Sequence, residues 1–259
     1  MSVDRNNVEE KPNYGIYVGY SIIISFLVLG VIGLLLVIFG FYVSFYFNVM
    51  LWIVGVILVI IFLWPGIGMS LTNLAAHKQE KINFGFVKKF KKAQILDCGC
   101  GTGRHAIPLA KQINKESFLT GIDIFDPKSI SGNSLERVQK NAEIEGVSDR
   151  TKFTFGSVTD IPFQNKSFDI VTCIGVIHHL IKEEDRAKAF EEIHRVLKPN
   201  GVFYFRELNR IANMPFMGIW GLFTFKNSSY WKKELEKNNF RIEEKYKEKN
   251  STVFLAKKE

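Results

Sequence analysis

The residues best suited to do chemistry lie in a glycine-rich stretch that follows a short apolar run. Gly99, Gly101 and Gly103 come directly after the run that ends at Asp97. Glycine lets the backbone bend sharply and approach a ligand closely. The helix predicted behind the glycines offers unpaired N–H groups and the positive end of its dipole. This stretch therefore predicts a binding site for a carboxylate or a phosphate.

The spacing of the glycines indicates which kind of cofactor the loop would hold. Dinucleotide-binding enzymes use G-x-G-x-x-G, whose third glycine would fall at Arg104, whereas this chain has G-x-G-x-G. A second apolar run ends at Asp123, 20 residues beyond Gly103. An acid at that place on a neighbouring strand is positioned to accept hydrogen bonds from ribose hydroxyls. A plain structural turn and an ordinary strand-end aspartate are the alternatives.

Two adjacent histidines, His178 and His179, are the candidates for a general base. Histidine accepts protons near neutral pH, and a base is needed wherever the attacking group is itself protonated. Because the two are adjacent, they point in different directions on either a helix or a strand. A structural or hydrogen-bonding histidine is the alternative.

The three cysteines are better explained by packing than by chemistry. Cys98 and Cys100 are one residue apart inside the glycine loop, and Cys173 lies in a predicted strand. Reduced thiols in a cytosolic compartment fit this usage. No metal site is expected, since no third ligand sits at a useful spacing.

Strand-like apolar runs alternate with helix-like stretches from Gln94 onward. This alternation predicts an α/β fold with a mostly parallel sheet covered on both faces. The predicted strands are Gln94–Cys98, Phe118–Asp123, Thr151–Phe155, Phe168–Ile174, Val202–Arg206, Phe240–Tyr246 and Thr252–Ala256. The predicted helices are Thr102–Ile113, Asn133–Gly146 and Glu184–Leu197.

The N-terminal region has a different composition. From Tyr14 to Met69, 56 residues pass without one Asp, Glu, Lys, Arg or His. A membrane-spanning helix needs about 20 apolar residues, so the stretch predicts a hairpin of two such helices, near Tyr17–Phe39 and Val49–Pro65. A cleavable signal peptide does not fit, because the stretch is too long and no small-residue cleavage site follows. A single long helix is the alternative.

Charge predicts the orientation of this hairpin. The formal net charge is +8, and residues 1–69 contribute −1, which leaves +9 for the remainder. Lys-rich flanks stay cytoplasmic, so both ends of the hairpin should face the cytosol. The sequence divides into a cytosolic tail (1–13), a transmembrane hairpin (14–69), a basic amphipathic linker (70–92) and a soluble domain (93–259). In the linker, Lys88, Lys89, Lys91 and Lys92 alternate with apolar residues, which predicts an interfacial segment on an anionic leaflet; a solvated linker helix is the alternative.

From about Gln94 to Leu208 the chain resembles the class I S-adenosylmethionine-dependent methyltransferases. The segment LDCGCGTG is similar to the family's first motif and GIDI to its second. GSVTDIPFQNKSFDIV resembles the adenine-side loop with the fourth strand, and HRVLKPNGVFYF the helix, turn and fifth strand. GIDIFDPKSISGN resembles a subgroup with membrane-anchored members. The resemblance implies a Rossmann-like, seven-stranded methyltransferase sheet preceded by the hairpin, with S-adenosylmethionine as cofactor.

The resemblance also implies roles for individual residues. It places Asp97 and the loop glycines at the methionine moiety, Asp123 at the ribose and Ile124 at the adenine. Where the family often has an aspartate for the adenine amino group, this chain has Ser157 followed by Val158, whose hydroxyl and backbone are the substitutes. The full set of cofactor-binding residues expected on this basis is Asp97, Gly99, Cys100, Gly101, Thr102, Gly103, Asp123, Ile124, Ser157, Val158 and Ile174. The histidine pair follows the fourth strand, where the family's substrate site opens.

These observations predict a membrane-anchored methyltransferase for a lipid or other hydrophobic or amphiphilic small molecule. The apolar block Met214–Phe225 is expected to form a lid or membrane contact over the acceptor, with plain core as its alternative. The expected partners are the lipid bilayer and the acceptor. Nucleic acid is not expected, because CIGVIH replaces the Asn-Pro-Pro-aromatic type of motif. The sequence does not predict an oligomeric state. The alternatives are a methyltransferase for a protein or soluble metabolite and a non-catalytic cofactor-binding module.

Overall fold

In the computed structural model, which describes residues 10–16, 18–43, 45–76, 82–210 and 225–259, the apolar region forms two antiparallel helical arms. The first arm is α1, Tyr20–Gly40. The second comprises α2, Phe45–Leu58, a π-helical turn, Val59–Leu63, and α3, Trp64–Ala76. Both arms are long and apolar enough to cross a membrane. The 21 residues of α1 rise about 31 Å, which matches a hydrocarbon core of about 30 Å.

Glycine allows the two arms to approach closely. A Cβ built on Gly33 would lie 2.8 Å from the carbonyl oxygen of Gly55, and one built on Gly55 would lie 2.6 Å from that of Gly33. Small residues at such crossings let helix backbones pack together without intervening side chains. The two arms are therefore fitted to each other as a hairpin.

The second arm extends beyond the predicted end at Pro65. The Trp64 N–H bonds to the Val59 carbonyl oxygen, five residues back, and the helix then continues to Ala76. A π-turn is one way in which a helix accommodates an irregularity in its hydrogen-bond ladder. The proline therefore lies inside the helical arm instead of ending it.

The segment predicted to lie on the membrane surface packs differently. Its central residues form a 3₁₀ helix, Gly85–Lys89, and not an amphipathic α-helix. Phe84 and Val87 are buried in the core of the soluble domain, and Phe86 stacks on Tyr204 with ring centroids 5.4 Å apart. The apolar side chains that would have entered a leaflet are thus used by the domain itself. The four lysines of this segment remain exposed.

The soluble domain is built on one seven-stranded sheet in the order β3-β2-β1-β4-β5-β7-β6. All neighbouring strands are parallel from β3 to β5, and β7 runs antiparallel to both β5 and β6. The strands are β1 Gln94–Cys98, β2 Phe118–Asp123, β3 Thr151–Phe155, β4 Phe168–Ile174, β5 Leu197–Leu208, β6 Phe240–Glu248 and β7 Ser251–Lys258. The prediction of a Rossmann-like α/β sheet is confirmed.

Helices cover the two faces of the sheet, each face carrying its own apolar core. They are α4 Ala106–Ala110, α5 Leu135–Ile144, α6 Glu183–Val196 and α7 Ser228–Lys237, with short 3₁₀ turns at Ser148–Arg150 and Ile177–His179. Ser134 caps α5 by accepting a hydrogen bond from the Arg137 N–H. The helix predicted from Thr102 begins only at Ala106, because Gly103 has a φ of +87°, outside the helical region. Helix α4 is consequently too short to supply the extended dipole expected behind the loop.

Candidate active site

The residues predicted to do chemistry meet at one edge of the sheet. Parallel strands β1, β2, β4 and β5 all end there, and ligands of open α/β sheets bind outside the carboxyl ends of the strands. The glycine loop, Gly99–Gly103, follows β1 at this edge, and Asp123 ends β2 beside it. The histidine pair follows β4, and Glu207 lies near the end of β5.

The glycine loop has a backbone shape that other residues would not adopt. Gly99 and Gly101 have φ values of +73° and +51°. A Cβ on Gly99 would lie 2.3 Å from Val176 Cγ2, and one on Gly101 would lie 2.9 Å from Ile130 Cδ1. The N–H groups of Gly99 and Cys100 both donate to the Ile122 carbonyl oxygen. The loop is therefore fastened to β2 and leaves a cradle that any larger side chain would fill.

Asp123 organises this cradle. Its Oδ2 accepts a hydrogen bond of 2.9 Å from the Gly101 N–H. Its Oδ1 accepts from the Phe125 N–H at 2.6 Å and from Asn133 Nδ2 at 3.1 Å. A carboxylate has about four acceptor positions, so these three bonds leave capacity on Oδ2 for a ligand hydroxyl. Asp123 thus couples an oxygen with remaining acceptor capacity to the shape of the loop.

Asp97 is buried behind the loop. It accepts a short hydrogen bond from the Thr172 hydroxyl on β4. Burial raises the pKa of Asp97 to about 7, although the Thr172 bond opposes that shift, and the neighbouring Asp123 raises it slightly further. A carboxyl with this pKa is poised to change charge when a cation approaches.

Apolar side chains flank the outer side of Asp123. Ile124 is 63% exposed and Phe155, at the end of β3, is 61% exposed. Phe125 packs edge-on against Phe155 with ring centroids 5.1 Å apart. Exposed apolar side chains beside a polar cradle provide a surface on which a flat aromatic base can lie.

At several positions predicted to bind the cofactor, the side chain is buried or already hydrogen-bonded within the protein. The Ser157 hydroxyl shares a 2.8 Å hydrogen bond with Thr159, so it stabilises its own turn. The Thr102 hydroxyl donates to the Tyr14 carbonyl oxygen. Val158 and Ile174 are buried, as is Cys100. At these positions the backbone, rather than a polar side chain, remains the candidate ligand contact.

The three thiols are protonated at neutral pH. Cys98, Cys100 and Cys173 are buried, and loss of hydration raises the pKa of each well above its ordinary value. Thiolates are the reactive and metal-binding form of cysteine. Among the described residues, no three His, Cys, Asp or Glu side chains come together as a potential metal site.

His178 forms a buried hydrogen-bonded contact with Glu207 that the sequence did not predict. Its Nδ1 lies 2.7 Å from Glu207 Oε2, and the Glu207 side chain has no exposed surface. Glu207 Oε1 also accepts hydrogen bonds from the backbone N–H groups of Val176 and His178. The glutamate therefore fixes both the position of the loop after β4 and the orientation of the imidazole ring.

His179 has a different environment from its neighbour. Its ring lies against that of His178, with centroids 4.1 Å apart. Although His179 reaches solvent, loss of hydration lowers the pKa of its imidazole, and the adjacent His178 lowers it further. His179 is accordingly neutral at physiological pH and has no carboxylate to orient it within the described part of the chain.

The block expected to form a lid, Met214–Phe225, lies outside the described residues except for its last member. Phe225 is buried, and its ring centroid is 5.3 Å from that of His178. Phe225 therefore lies beside the candidate active site. The lid hypothesis itself remains a prediction.

Comparison with known proteins identifies the domain. A family model described as a methyltransferase domain matches residues 95–201, which include the loop, Asp123 and the histidine pair. The domain that contains these residues is therefore similar to this methyltransferase family, whose model matches less than half of the chain. A solved structure of an S-adenosylmethionine-dependent methyltransferase from Aquifex aeolicus shares the fold, with a TM-score of 0.58 and 15% identity over 74% of this chain and 97% of the other.

Two curated relatives of the methyltransferase domain have higher sequence identity. A demethylmenaquinone methyltransferase from Lactiplantibacillus plantarum is 30% identical over 131 residues, which are 50% of this chain and 52% of the relative. A 27-O-demethylrifamycin SV methyltransferase from Amycolatopsis mediterranei is 33% identical over 108 residues, covering 42% of this chain and 36% of the relative. The chain thus spans about half of the first relative and about a third of the second.

The methyltransferase domain contains two site residues that sequence reasoning missed. Glu207 lies near the end of β5 as Asp123 ends β2, so the rule that singled out strand-end acids at this edge would have found it. Asn133, which donates to Asp123, lies 10 residues further along in an irregular loop. No periodic pattern in the sequence indicates that contact.

Proposed function

We propose that the chain is a membrane-anchored S-adenosylmethionine-dependent methyltransferase that acts on a lipid or other hydrophobic small molecule. The observation that supports this most strongly is the meeting of two sites at one sheet edge. One is the glycine cradle organised by Asp123, and the other is the buried His178–Glu207 pair. A module that only binds the cofactor has no need of the second site.

The residues of the cradle fit the cofactor. Asp123 would accept hydrogen bonds from the ribose hydroxyls through Oδ2, and Ile124 would pack against the adenine. Asp97 and the loop glycines would face the methionine moiety, with the Val158 backbone beside the adenine amino group. S-adenosylmethionine, when bound, supplies an electrophilic methyl group. The protein itself supplies alignment and excludes water.

The His178–Glu207 pair suits the removal of a proton from the acceptor. Glu207 Oε1 already accepts hydrogen bonds from two backbone N–H groups. Its Oε2 can therefore accept a hydrogen bond from an N–H at His178 Nδ1. That arrangement fixes the tautomer in which Nε2 carries a lone pair. Nε2 of His178 would then take the proton of an acceptor hydroxyl, enol or ammonium group, which would leave an electron pair on the acceptor to attack the methyl group. His179 serves as the neutral ring against which His178 is held.

A membrane location, which we propose from the two apolar helical arms, would favour a hydrophobic acceptor. Two helices long enough to span a bilayer are joined to the domain, and the two relatives are named for a menaquinone precursor and a rifamycin. Confinement to a membrane raises the effective concentration of an acceptor held in the same layer. A methyltransferase for a protein or soluble metabolite, with the hairpin serving for localisation, is the second candidate. The lysine-rich exposed surface after the hairpin suits either one.

Cofactor affinity should depend on pH through Asp97. Its pKa near 7 means that the carboxyl is largely protonated at pH 5.5. A cationic ammonium group favours the ionised form, so binding should release a proton. We expect affinity for S-adenosylmethionine to rise by up to about tenfold per pH unit between pH 5.5 and 7. Asp97→Asn should remove this dependence in calorimetric titrations, and an unchanged pH profile in that variant would exclude Asp97 from the ammonium contact.

The hairpin should place both of its ends on the cytosolic side. Tyr42, in the turn between α1 and α2, is 82% exposed, and Lys88 is exposed beside the domain. In intact cells, a cysteine replacing Tyr42 should react with an impermeant maleimide, and one replacing Lys88 should react only after lysis. The native cysteines are buried and give a low background. Labelling of the Lys88 position from outside would refute this orientation.

The proposed activity can be tested by asking which cell fraction consumes the cofactor. The purified full-length protein is incubated with S-adenosylmethionine and with lipid extract, membrane protein or soluble metabolites. Release of S-adenosylhomocysteine should rise with the lipid extract alone. A rise only with protein or metabolites would favour the second candidate. Binding without release in any fraction would favour the non-catalytic module.

A further inference from the structure

The chain that precedes the first helical arm contacts the glycine loop, Gly99–Gly103. Because this loop would hold the cofactor, we call it the cofactor loop below. Residues 10–16 and 18, which we call the strap, run along the methyltransferase domain before α1 begins at Tyr20. Four successive carbonyl oxygens of the strap, from Asn13 to Ile16, accept hydrogen bonds from the domain. The donors are Asn141 Nδ2, Thr102 Oγ1, Arg104 Nη2 and the Ser131 N–H, at 2.9–3.1 Å. The domain therefore holds the backbone of the strap at four successive residues.

Two buried asparagines hold the ends of the strap in the same way. On α5, Asn141 accepts from the Asn13 N–H at 2.8 Å and donates to the Asn13 carbonyl at 3.0 Å. On α3, Asn73 accepts from the Val18 N–H at 3.3 Å and donates to the Val18 carbonyl at 2.8 Å. One asparagine belongs to the domain and the other to the hairpin. The strap is thus fastened to both parts of the protein.

One residue that holds the strap, Thr102, belongs to the cofactor loop, and another, Arg104, follows that loop directly. Thr102 lies between Gly101 and Gly103, and its carbonyl oxygen accepts a second bond from Asn141. Arg104 follows directly and is 6% exposed. On the other side, Gly15 packs against the backbone of Ser131, next to Ile130, whose side chain lies against Gly101. Any movement of the loop would therefore disturb the strap, and any movement of the strap would disturb the loop.

Chain length then limits the distance between the cofactor loop and the membrane. Tyr20, at the start of α1, lies six positions along the chain from Tyr14, which is bonded to Thr102. Fully extended, six residues reach at most about 21 Å. The cofactor loop is accordingly held within that distance of the first apolar turn of α1.

We propose that the strap is a positioning element of the cofactor site, which fastens the cofactor loop to the base of the hairpin. Its docking and cofactor binding stabilise each other, because both require the same conformation of residues 101–104. Such coupling is reciprocal: cofactor should tighten the strap as much as the strap tightens cofactor. This inference rests on the proposed function for the identity of the cofactor.

A substitution at Gly15 should displace the strap without altering the sequence of the domain. Its φ is +67°, and a Cβ there would lie 2.5 Å from the Ser131 carbonyl oxygen. Gly15→Ala should weaken binding of S-adenosylhomocysteine to the full-length protein by about tenfold, since the loop loses its preorganisation. Gly19→Ala is the matched control, because a Cβ there meets only Ser21 Oγ at 3.8 Å. Its affinity should equal that of the unmodified protein.

Hydrogen exchange of the unmodified protein provides a readout that needs no variant. Adding S-adenosylhomocysteine should slow exchange of the amides of Asn13 and Gly15 together with those of the loop. Two results would overturn the inference. One is equal affinity of the two glycine variants for S-adenosylhomocysteine, and the other is an exchange rate of the strap amides that does not change when the ligand is added. These outcomes differ from failure of the proposed cofactor, in which the unmodified protein would not bind S-adenosylhomocysteine at all.

Discussion

Asp123→Ala should reduce the affinity of the protein for S-adenosylmethionine by about tenfold to more than a hundredfold. Loss of a charge-assisted hydrogen bond costs roughly 1.5–3 kcal/mol. The structure favours the upper end of that range, because the same carboxylate also holds the N–H groups of Gly101 and Phe125 and the amide of Asn133. Removing the carboxylate would take a hydrogen-bond acceptor from the ligand and would also break the hydrogen bonds that hold the loop in shape.

Asparagine should not rescue this function. If its Oδ1 keeps the bonds to Phe125 and Asn133, its amide nitrogen faces the Gly101 N–H, which places two donors together. Asp149→Ala is a suitable control, since that carboxylate is exposed and pairs only with its neighbour Arg150 on the described surface. Isothermal titration of the three variants against the unmodified protein gives the comparison. Equal affinity of Asp123→Ala and the unmodified protein would remove Asp123 from the site.

Glu207→Gln should slow methyl transfer by about 10²–10⁴-fold while leaving cofactor affinity nearly unchanged, which is the range that general-base catalysis supplies. Glutamine can still accept the two backbone N–H bonds at its oxygen. Its amide group, however, donates to His178 Nδ1, which forces the proton of the imidazole onto Nε2. The base would then have no lone pair to offer, although the fold is retained.

His178→Ala should produce a loss of similar size, and the double variant should lose little more, because the two residues act as one unit. Glu236→Gln is the control, since Glu236 forms only an exposed pair with Lys232 on the described surface. Initial rates at saturating cofactor, together with cofactor affinity, separate catalysis from binding. Full activity of Glu207→Gln would assign the buried pair a purely structural role.

The parts of the fold that follow from local pattern were well predicted. Strands β1 to β4 have the predicted limits, because each is a short apolar or alternating run bounded by turn residues. The glycine loop and Asp123 were found because their spacing follows from how parallel strands end at a common edge. These features depend on residues close together in the sequence.

The features that were not predicted depend on contacts between distant residues. Glu207 is 29 residues from His178, and the strap meets Asn141 across 128 residues. Nothing in the local sequence near Asn13 indicates that its backbone will be held by a side chain. The segment containing Phe84 and Val87 illustrates the same limit, because alternation of Lys and Phe fits both a membrane surface and the edge of a protein core. Tertiary packing decides between the two.

Following a labelled methyl group from the cofactor into its product is the measurement that tests the proposed function most directly. The full-length protein in lipid vesicles is supplied with S-adenosylmethionine labelled in its methyl group and with total membrane extract, and the products are partitioned between organic and aqueous phases. We expect label in the organic phase for the unmodified protein and for Glu236→Gln, and at least about a hundredfold less for Glu207→Gln. Label found only in protein or in water-soluble product, or equal organic label from Glu207→Gln, would contradict the account.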